Sequence, residues 1–225
     1  MREIYSSQVF GIMITTLFYI LGDYLYKKTK IPLFSPLLIA TILVMGFVYI
    51  ANINLDSFLT DLSGINVFLG PLIVSLAIPI AQKKDLIKKY LFPITIGSFI
   101  GALTSVLSVL ILGKVFNLNE DIIISIIPKS ASTPIAIEIT NRLGGIRAIT
   151  VAVVVISAVL GAMIIPILVK MFKIKNPLII GMGLGVSSHA IGTAKALEID
   201  STAGAISGIA LVISGIFTVL ITLFL

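Results

Sequence analysis

Long apolar runs separated by short polar loops dominate the chain. Val9 to Leu21, Leu37 to Ala51, Val67 to Ala81, Ile94 to Leu112, Ile149 to Val169 and Ala205 to Leu225 contain no charged residue. With their flanks, such runs approach the roughly 20 residues a helix needs to cross a hydrocarbon core. The pattern predicts an all-α, polytopic integral membrane protein with six full transmembrane helices.

Two further segments break this pattern. Pro128-Lys129-Ser130-Ala131-Ser132-Thr133-Pro134 and Gly185-Val186-Ser187-Ser188-His189-Ala190-Ile191-Gly192-Thr193 place charge, hydroxyls and helix breakers between apolar flanks. Hydrocarbon offers freed N–H and C=O groups no partner, so a break at membrane depth survives only inside protein or beside a wet cavity. Both segments are expected to be broken or re-entrant helices.

Sliding the chain on itself by 60 residues superposes the breaks. Thr133, Ala136, Glu138, Ile139, Gly144, Ile146 and Ile149 meet Thr193, Ala196, Glu198, Ile199, Gly204, Ile206 and Ile209, seven matches within seventeen positions. Residues 1–116 then read as N-terminal scaffold helices. Residues 117–225 read as a repeat that carries both breaks and forms a transport core. Secondary transporters commonly hold substrate where paired, interrupted helices of two repeats meet.

Composition narrows the classes. The chain of 225 residues is 58% hydrophobic and 12% charged, with no cysteine, so a disulfide framework, a thiolate metal site and a cysteine nucleophile are excluded. The net charge of +6 sits mainly in short loops, which is a membrane-orientation pattern rather than a nucleic-acid patch. The first run has no strongly basic stretch before it and no small-residue cleavage pattern after it. It is expected to be a retained helix.

Basic loops set orientation. Lys27, Lys28 and Lys30, then Lys83, Lys84, Lys88 and Lys89, are expected on the cytoplasmic side. Beyond them the sequence leaves two paths open. If the first break crosses, Arg142 and Arg147 come inside and Lys170, Lys173 and Lys175 fall outside. If it returns as a hairpin, the three lysines come inside and the two arginines stay out.

Lys129 is the first candidate for chemistry, because a lysine at membrane depth costs roughly 2.5–3.5 kcal/mol on insertion scales and needs a counter-charge or a watery cavity. The plainer alternative is that it snorkels to the interface. Ser132-Thr133-Pro134 reads as a fresh helix N-terminus with a capping hydroxyl and an early proline, an end that favours an anion. The candidate substrate-binding set is Lys129, Ser130, Ser132, Thr133, Ser188, His189, Gly192 and Thr193. His189, the single histidine, is also a candidate for a coupling proton or a structural hydrogen bond. Glu138 is a second coupling or ion-pair candidate, whereas Glu198 reads as a wet helix end. Gly97-x-x-x-Gly101, Gly181-x-x-x-Gly185 and Gly204-x-x-x-Gly208 read as helix-packing surfaces, with a homodimer as one outcome. No catalytic pair, metal site or cofactor is expected.

The string from Pro128 to Ala136, then Gly144-Gly145, then Ser188-His189-Ala190-Ile191-Gly192-Thr193-Ala194, resembles the LrgB/CidB family, as does Leu69-Gly70-Pro71 followed by Ala77-Ile78-Pro79. The resemblance implies two roles. One is an antiholin-like or holin-like protein of the cell membrane, tied to murein hydrolase control and programmed cell death, with a small LrgA/CidA-type membrane partner. The other, implied by the plastid relative, is a translocator of small carboxylates such as glycolate and glycerate. The residues themselves favour a multi-pass, non-enzymatic carrier of small monocarboxylates (glycolate, glycerate, lactate or pyruvate), coupled to a proton or cation and surrounded by membrane lipid. The alternative is an autolysis effector that moves no solute.

Overall fold

A computed structural model describes residues 8–29, 36–54 and 77–225, together with Phe58, Leu62, Gly64, Val67, Pro71, Val74 and Ser75. The described residues contain no strand, and the chain divides into two compact units, residues 1–75 and 76–225. The expected run from Val67 to Ala81 and the Leu69-Gly70-Pro71 motif lie largely outside the described residues.

In the first unit, α1 (Gln8–Thr29) packs on α2 (Pro36–Ile50). The rings of Phe10 and Phe18 lie with centroids 6.0 and 6.2 Å from that of Phe47. At Gly22 a Cβ would sit 2.8 Å from the Pro36 carbonyl oxygen, so glycine sets this close approach.

The second unit contains α3 (Ala77–Gln82), α4 (Lys84–Val115), α5 (Glu120–Ile126), a 3₁₀ turn (Ile127–Ser130), α6 (Thr133–Leu143), α7 (Arg147–Met171), α8 (Pro177–Ile199) and α9 (Ser201–Thr222). The expected division between residues 116 and 117 falls in the turn after α4, inside this unit. Five helices among the described residues are long and apolar enough to span a membrane: α1 from Val9, α4, α7, α8 and α9. The apolar part of α2, from Leu38 to Ile50, is shorter.

Contacts decide where each break leads. The first returns to its starting level. At the end of α6 the Ile146 amide donates to Ser125 Oγ at 2.7 Å, and Thr150 Oγ1 donates to the Ser125 carbonyl at 2.9 Å. Thr140 and Thr150 share a hydroxyl contact of 2.8 Å. Gly144, at φ +83°, reverses the chain in a conformation that L side chains rarely adopt. The segment from Glu120 to Leu143 is therefore a hairpin, termed hairpin 1, with its tip near Lys129 and both ends beside the start of α7.

The second break does the same from the other face. A Cβ on Gly181 would run into the Ala203 carbonyl, and one on Gly185 into that of Ser207, so the first arm of α8 runs parallel to α9. Past His189 the order inverts: Thr193 reaches Ser207 and Leu197 reaches Gly204. Ala196 packs with Ile180 and Leu184 of the first arm. Although α8 has the length and apolar character of a span, it folds back at His189 as hairpin 2.

These two returns settle the charge ambiguity. Ile123 packs over Gly113 near the end of α4, which puts that end beside the base of hairpin 1. Leu86 and Tyr90 of α4 join Leu178 around the cluster of Ile94, Ile206 and Ala210, and Val169 of α7 joins the cluster that contains Ile180, toward the base of hairpin 2. Lys83, Lys84, Lys88, Lys89, Lys170, Lys173 and Lys175 thus share one face, and Arg142 and Arg147 lie at the other. The hairpins enter from opposite faces, so the repeat is inverted.

Candidate functional site

The hairpin tips meet. His189 Nε2 donates to the Lys129 carbonyl at 3.0 Å. A carbonyl only accepts, so Nε2 carries a ring hydrogen, and in the neutral imidazole Nδ1 is then the acceptor. Nδ1 is buried with no hydrogen-bond partner among the described residues. His189 itself sits at φ 51°, ψ −136°, outside the helical region of the arm it ends. For a non-glycine residue such backbone costs about 1–3 kcal/mol and is retained only where the surroundings enforce it. Thr193 helps to enforce it by donating from Oγ1 to the His189 carbonyl at 3.1 Å, in a buried contact with Ser207 Oγ at 3.0 Å.

Lys129 is the turn residue of the opposite tip. Its Nζ donates to Ser105 Oγ at 2.6 Å and lies 3.4 Å from the Ser105 carbonyl; Ser130 Oγ also contacts Ser105 Oγ. Ser105 is ten residues before the end of α4. At the helical rise that is about 15 Å of depth. Among the described residues no carboxylate lies within 4.0 Å of Lys129; the ion pairs there are Lys27–Asp23 and Lys195–Glu198.

A cavity of about 780 Å³ opens beside Lys129. Its walls are Gly97, Gly101, Thr104, Ser105 and Ser108 of α4, Lys129 and Ser130 of the first tip, Ser157 of α7, and Ile179, Met182, Gly183, Val186 and Ser187 of hairpin 2. Among the described residues Lys129 is the one charged wall residue, and six walls carry hydroxyls. A cation among hydroxyls and without an acid is built to receive a small anion, since the anion supplies the missing counter-charge while hydroxyls donate to its oxygens.

The sequence-expected residues distribute unevenly. Lys129 and Ser130 line the cavity. Ser188, His189, Gly192 and Thr193 are buried in the second tip and are not among its walls. Gly192 is pressed against the Leu184 carbonyl and Ser188. Ser132 occupies the expected N-cap position of α6, with Pro134 in the first turn, but its hydroxyl makes no capping bond. Neither Ser132 nor Thr133 reaches the cavity. Glu138 is exposed on α6, away from the walls. Glu198 pairs with Lys195 at 2.6 Å on the surface.

Sequence reasoning passed over Ser105, Ser108, Thr104 and Ser157, all in uninterrupted spans. A signal existed: Thr104, Ser105 and Ser108 are hydroxyls spaced for one face of a helix that is otherwise apolar. The glycine pairs act within the chain. Gly97 and Gly101 receive Met182 and Val186, which lets the first arm of hairpin 2 lie against α4.

The chain matches the LrgB-like family over residues 15–225. It is 34% identical to the antiholin-like protein LrgB of Bacillus subtilis (strain 168) over 96% of this chain and 94% of that protein. It is 33% identical to the protein YxaC of the same organism, covering 91% of this chain and 89% of that one. It is also 33% identical to the antiholin-like protein LrgB of Bacillus cereus (strain B4264), covering 94% and 93%. No solved structure matches the chain. Taken with its bundle of apolar helices, these likenesses make the chain a multi-pass membrane protein of the LrgB-like family.

Proposed function

We propose that the chain is a secondary carrier of small monocarboxylates in the cell membrane, of the size and chemistry of glycolate, glycerate, lactate or pyruvate. One observation carries the reading: Lys129, with no carboxylate beside it among the described residues, projects into a hydroxyl-walled cavity where two oppositely inserted hairpins meet. An autolysis effector needs apolar spans and packing glycines, but has no use for an uncompensated cation at this depth. The carboxylate pairs with Lys129, and Ser105, Ser130 and Ser187 bond its remaining oxygens. The role is binding and movement, without catalysis. Proton coupling through His189 and cation coupling are the two modes consistent with the reading.

The relatives' names favour a second reading. Two of the relatives above are called antiholin-like, and neither name includes a solute. On that reading the chain restrains or regulates a holin-type partner, such as a small LrgA/CidA-type membrane protein, or acts as a homodimer, and moves nothing. Purified chain in proteoliposomes separates the two. The carrier reading requires saturable uptake of labelled lactate or glycolate without leakage of a large trapped dye. Absence of carboxylate uptake and binding, with dye release or its suppression on adding the partner, supports the effector reading.

A further inference from the structure

Among the described residues α2, α4 and α7 end in the same turn. The amides of Asn52, Asn117 and Lys173 donate to the carbonyls of Tyr49, Lys114 and Lys170, and the next amides, of Ile53, Leu118 and Ile174, donate to those of Val48, Gly113 and Val169. Each turn residue takes left-handed backbone, at φ 50°, 49° and 53°. Asparagine is enriched in that conformation and lysine is not. All three residues are exposed, so packing does not select the residue type. At Lys173 a lysine is kept against the preference of the backbone.

Helix electrostatics disfavour its companions as well. Lys83 is the N-cap of α4 and makes no capping bond. Lys84 and Lys88 repeat at i, i+4 at the start of that helix, where like charges repel and the positive end of the helix dipole lies. Lys175 directly precedes Asn176, the cap of α8. Asp85 is the only acid between Lys83 and Lys89 in the sequence, and none of these lysines has a carboxylate within 4.0 Å among the described residues. Membrane orientation requires basic loops on this face, but it does not require lysine in a left-handed turn or in the opening turns of a helix.

Large apolar side chains stand exposed beside these cations. Leu91 and Phe92 follow Lys89 in α4, and Met171 and Phe172 lead into Lys173. Phe92 is 76% exposed and Phe172 66%. A phospholipid has both halves of the complement, a phosphate for the ammonium groups and acyl chains for the apolar side chains. A soluble acidic partner has only the first.

We propose that the lysine-rich face is a binding surface for anionic phospholipid headgroups, with Lys173 and Lys88 pairing with lipid phosphate and the acyl chains lying against Met171, Phe172, Leu91 and Phe92. The attraction of the phosphates offsets the unfavourable backbone and helix-end positions of the lysines. The proposal concerns the membrane rather than the cavity, and so it stands apart from the choice between carrier and effector.

The full chain in nonionic detergent is titrated with phosphatidylglycerol or phosphatidylcholine while its thermal midpoint is followed. Phosphatidylglycerol is expected to raise the midpoint saturably and phosphatidylcholine to leave it in place. Lys173→Asn should be at least as stable as the wild type before lipid is added, because asparagine suits the turn, yet need about fivefold more phosphatidylglycerol for half the effect. Lys88→Gln, whose backbone is ordinary helix, should raise the requirement similarly and reads the same loss if Lys173→Asn fails to fold. Asn117→Lys places the same side chain in the same turn at the other face. It should lower lipid-free stability and leave the phosphatidylglycerol requirement within about twofold. Equal responses to the two lipids, or an unchanged requirement in Lys173→Asn and Lys88→Gln, overturn the proposal. An equal shift from glycerol 3-phosphate, which would assign the face to a free anion, or from polyglutamate, which would assign it to an acidic protein, overturns it too.

Discussion

His189 donates from Nε2 to the Lys129 carbonyl across 3.0 Å, and this single bond joins the tips of two hairpins that enter from opposite faces. The backbone at His189 is held at positive φ to make it. Replacing the imidazole therefore separates the bond from the strain. His189→Ala loses the bond, about 0.5–1.5 kcal/mol, and keeps the strain. His189→Gly loses the same bond but releases the strain. The glycine variant is expected to be the more stable by about 1 kcal/mol, the reverse of the usual order in a helix interior. Denaturation in detergent checks this, and an alanine variant as stable as glycine would contradict it.

Lys129 is half-buried beside hydroxyls, with no acid within reach among the described residues. Lys129→Met removes a cation that has no acid beside it among the described residues, so on the carrier reading thermal stability should hold or rise while carboxylate uptake falls to background. A variant that unfolds more readily and still transports would contradict both halves of this statement.

Ser105 holds the ammonium of Lys129. Ser105→Ala leaves Nζ with one acceptor fewer and the cavity with one hydroxyl fewer. Half-saturating lactate concentration should rise roughly fivefold to tenfold, the equivalent of about one hydrogen bond, with folding unchanged. Transport kinetics identical to the wild type would remove Ser105 from the site.

Gly145 closes the base of hairpin 1. A Cβ there would meet Ile124 Cγ2, Ser125 Oγ and Thr140 Cγ2, each at 2.9 Å, whereas Gly46 in α2 has nothing within 4 Å. Gly145→Val should destabilise by about 1–3 kcal/mol through overpacking, and Gly46→Val should be close to neutral in packing. Equal effects at the two positions, measured by thermal unfolding, would contradict this packing.

Much of the fold is legible in the amino-acid sequence. Uncharged runs announce spans, and the Pro128 to Pro134 segment announces its own break through proline and hydroxyls. The 60-residue register even aligns Lys129 with His189. Three things are not legible there. Apolar length cannot distinguish a crossing helix from one that returns, because both must bury about 20 residues in hydrocarbon. The direction of α8 is set by its contacts with α9, at Gly181 on the way in and Leu197 on the way out. The break in α8 lies inside the expected Gly185 to Thr193 segment, but its exact place, His189, is a residue type with no helix-breaking signature. Finally, half the hydroxyl walls stand on α4, and a serine in an unbroken span shows its importance only when a lysine from elsewhere docks on it.

Side-specific labelling of four single cysteines tests the central geometry most directly: Glu120→Cys and Arg142→Cys at the two ends of hairpin 1, Lys175→Cys and Glu198→Cys at the two ends of hairpin 2. All four native side chains are exposed. Two re-entrant hairpins require that the first two label from one face of the membrane and the last two from the other. If either pair divides between the faces, that segment crosses the membrane, and the meeting of two re-entrant tips at Lys129 and His189 is contradicted.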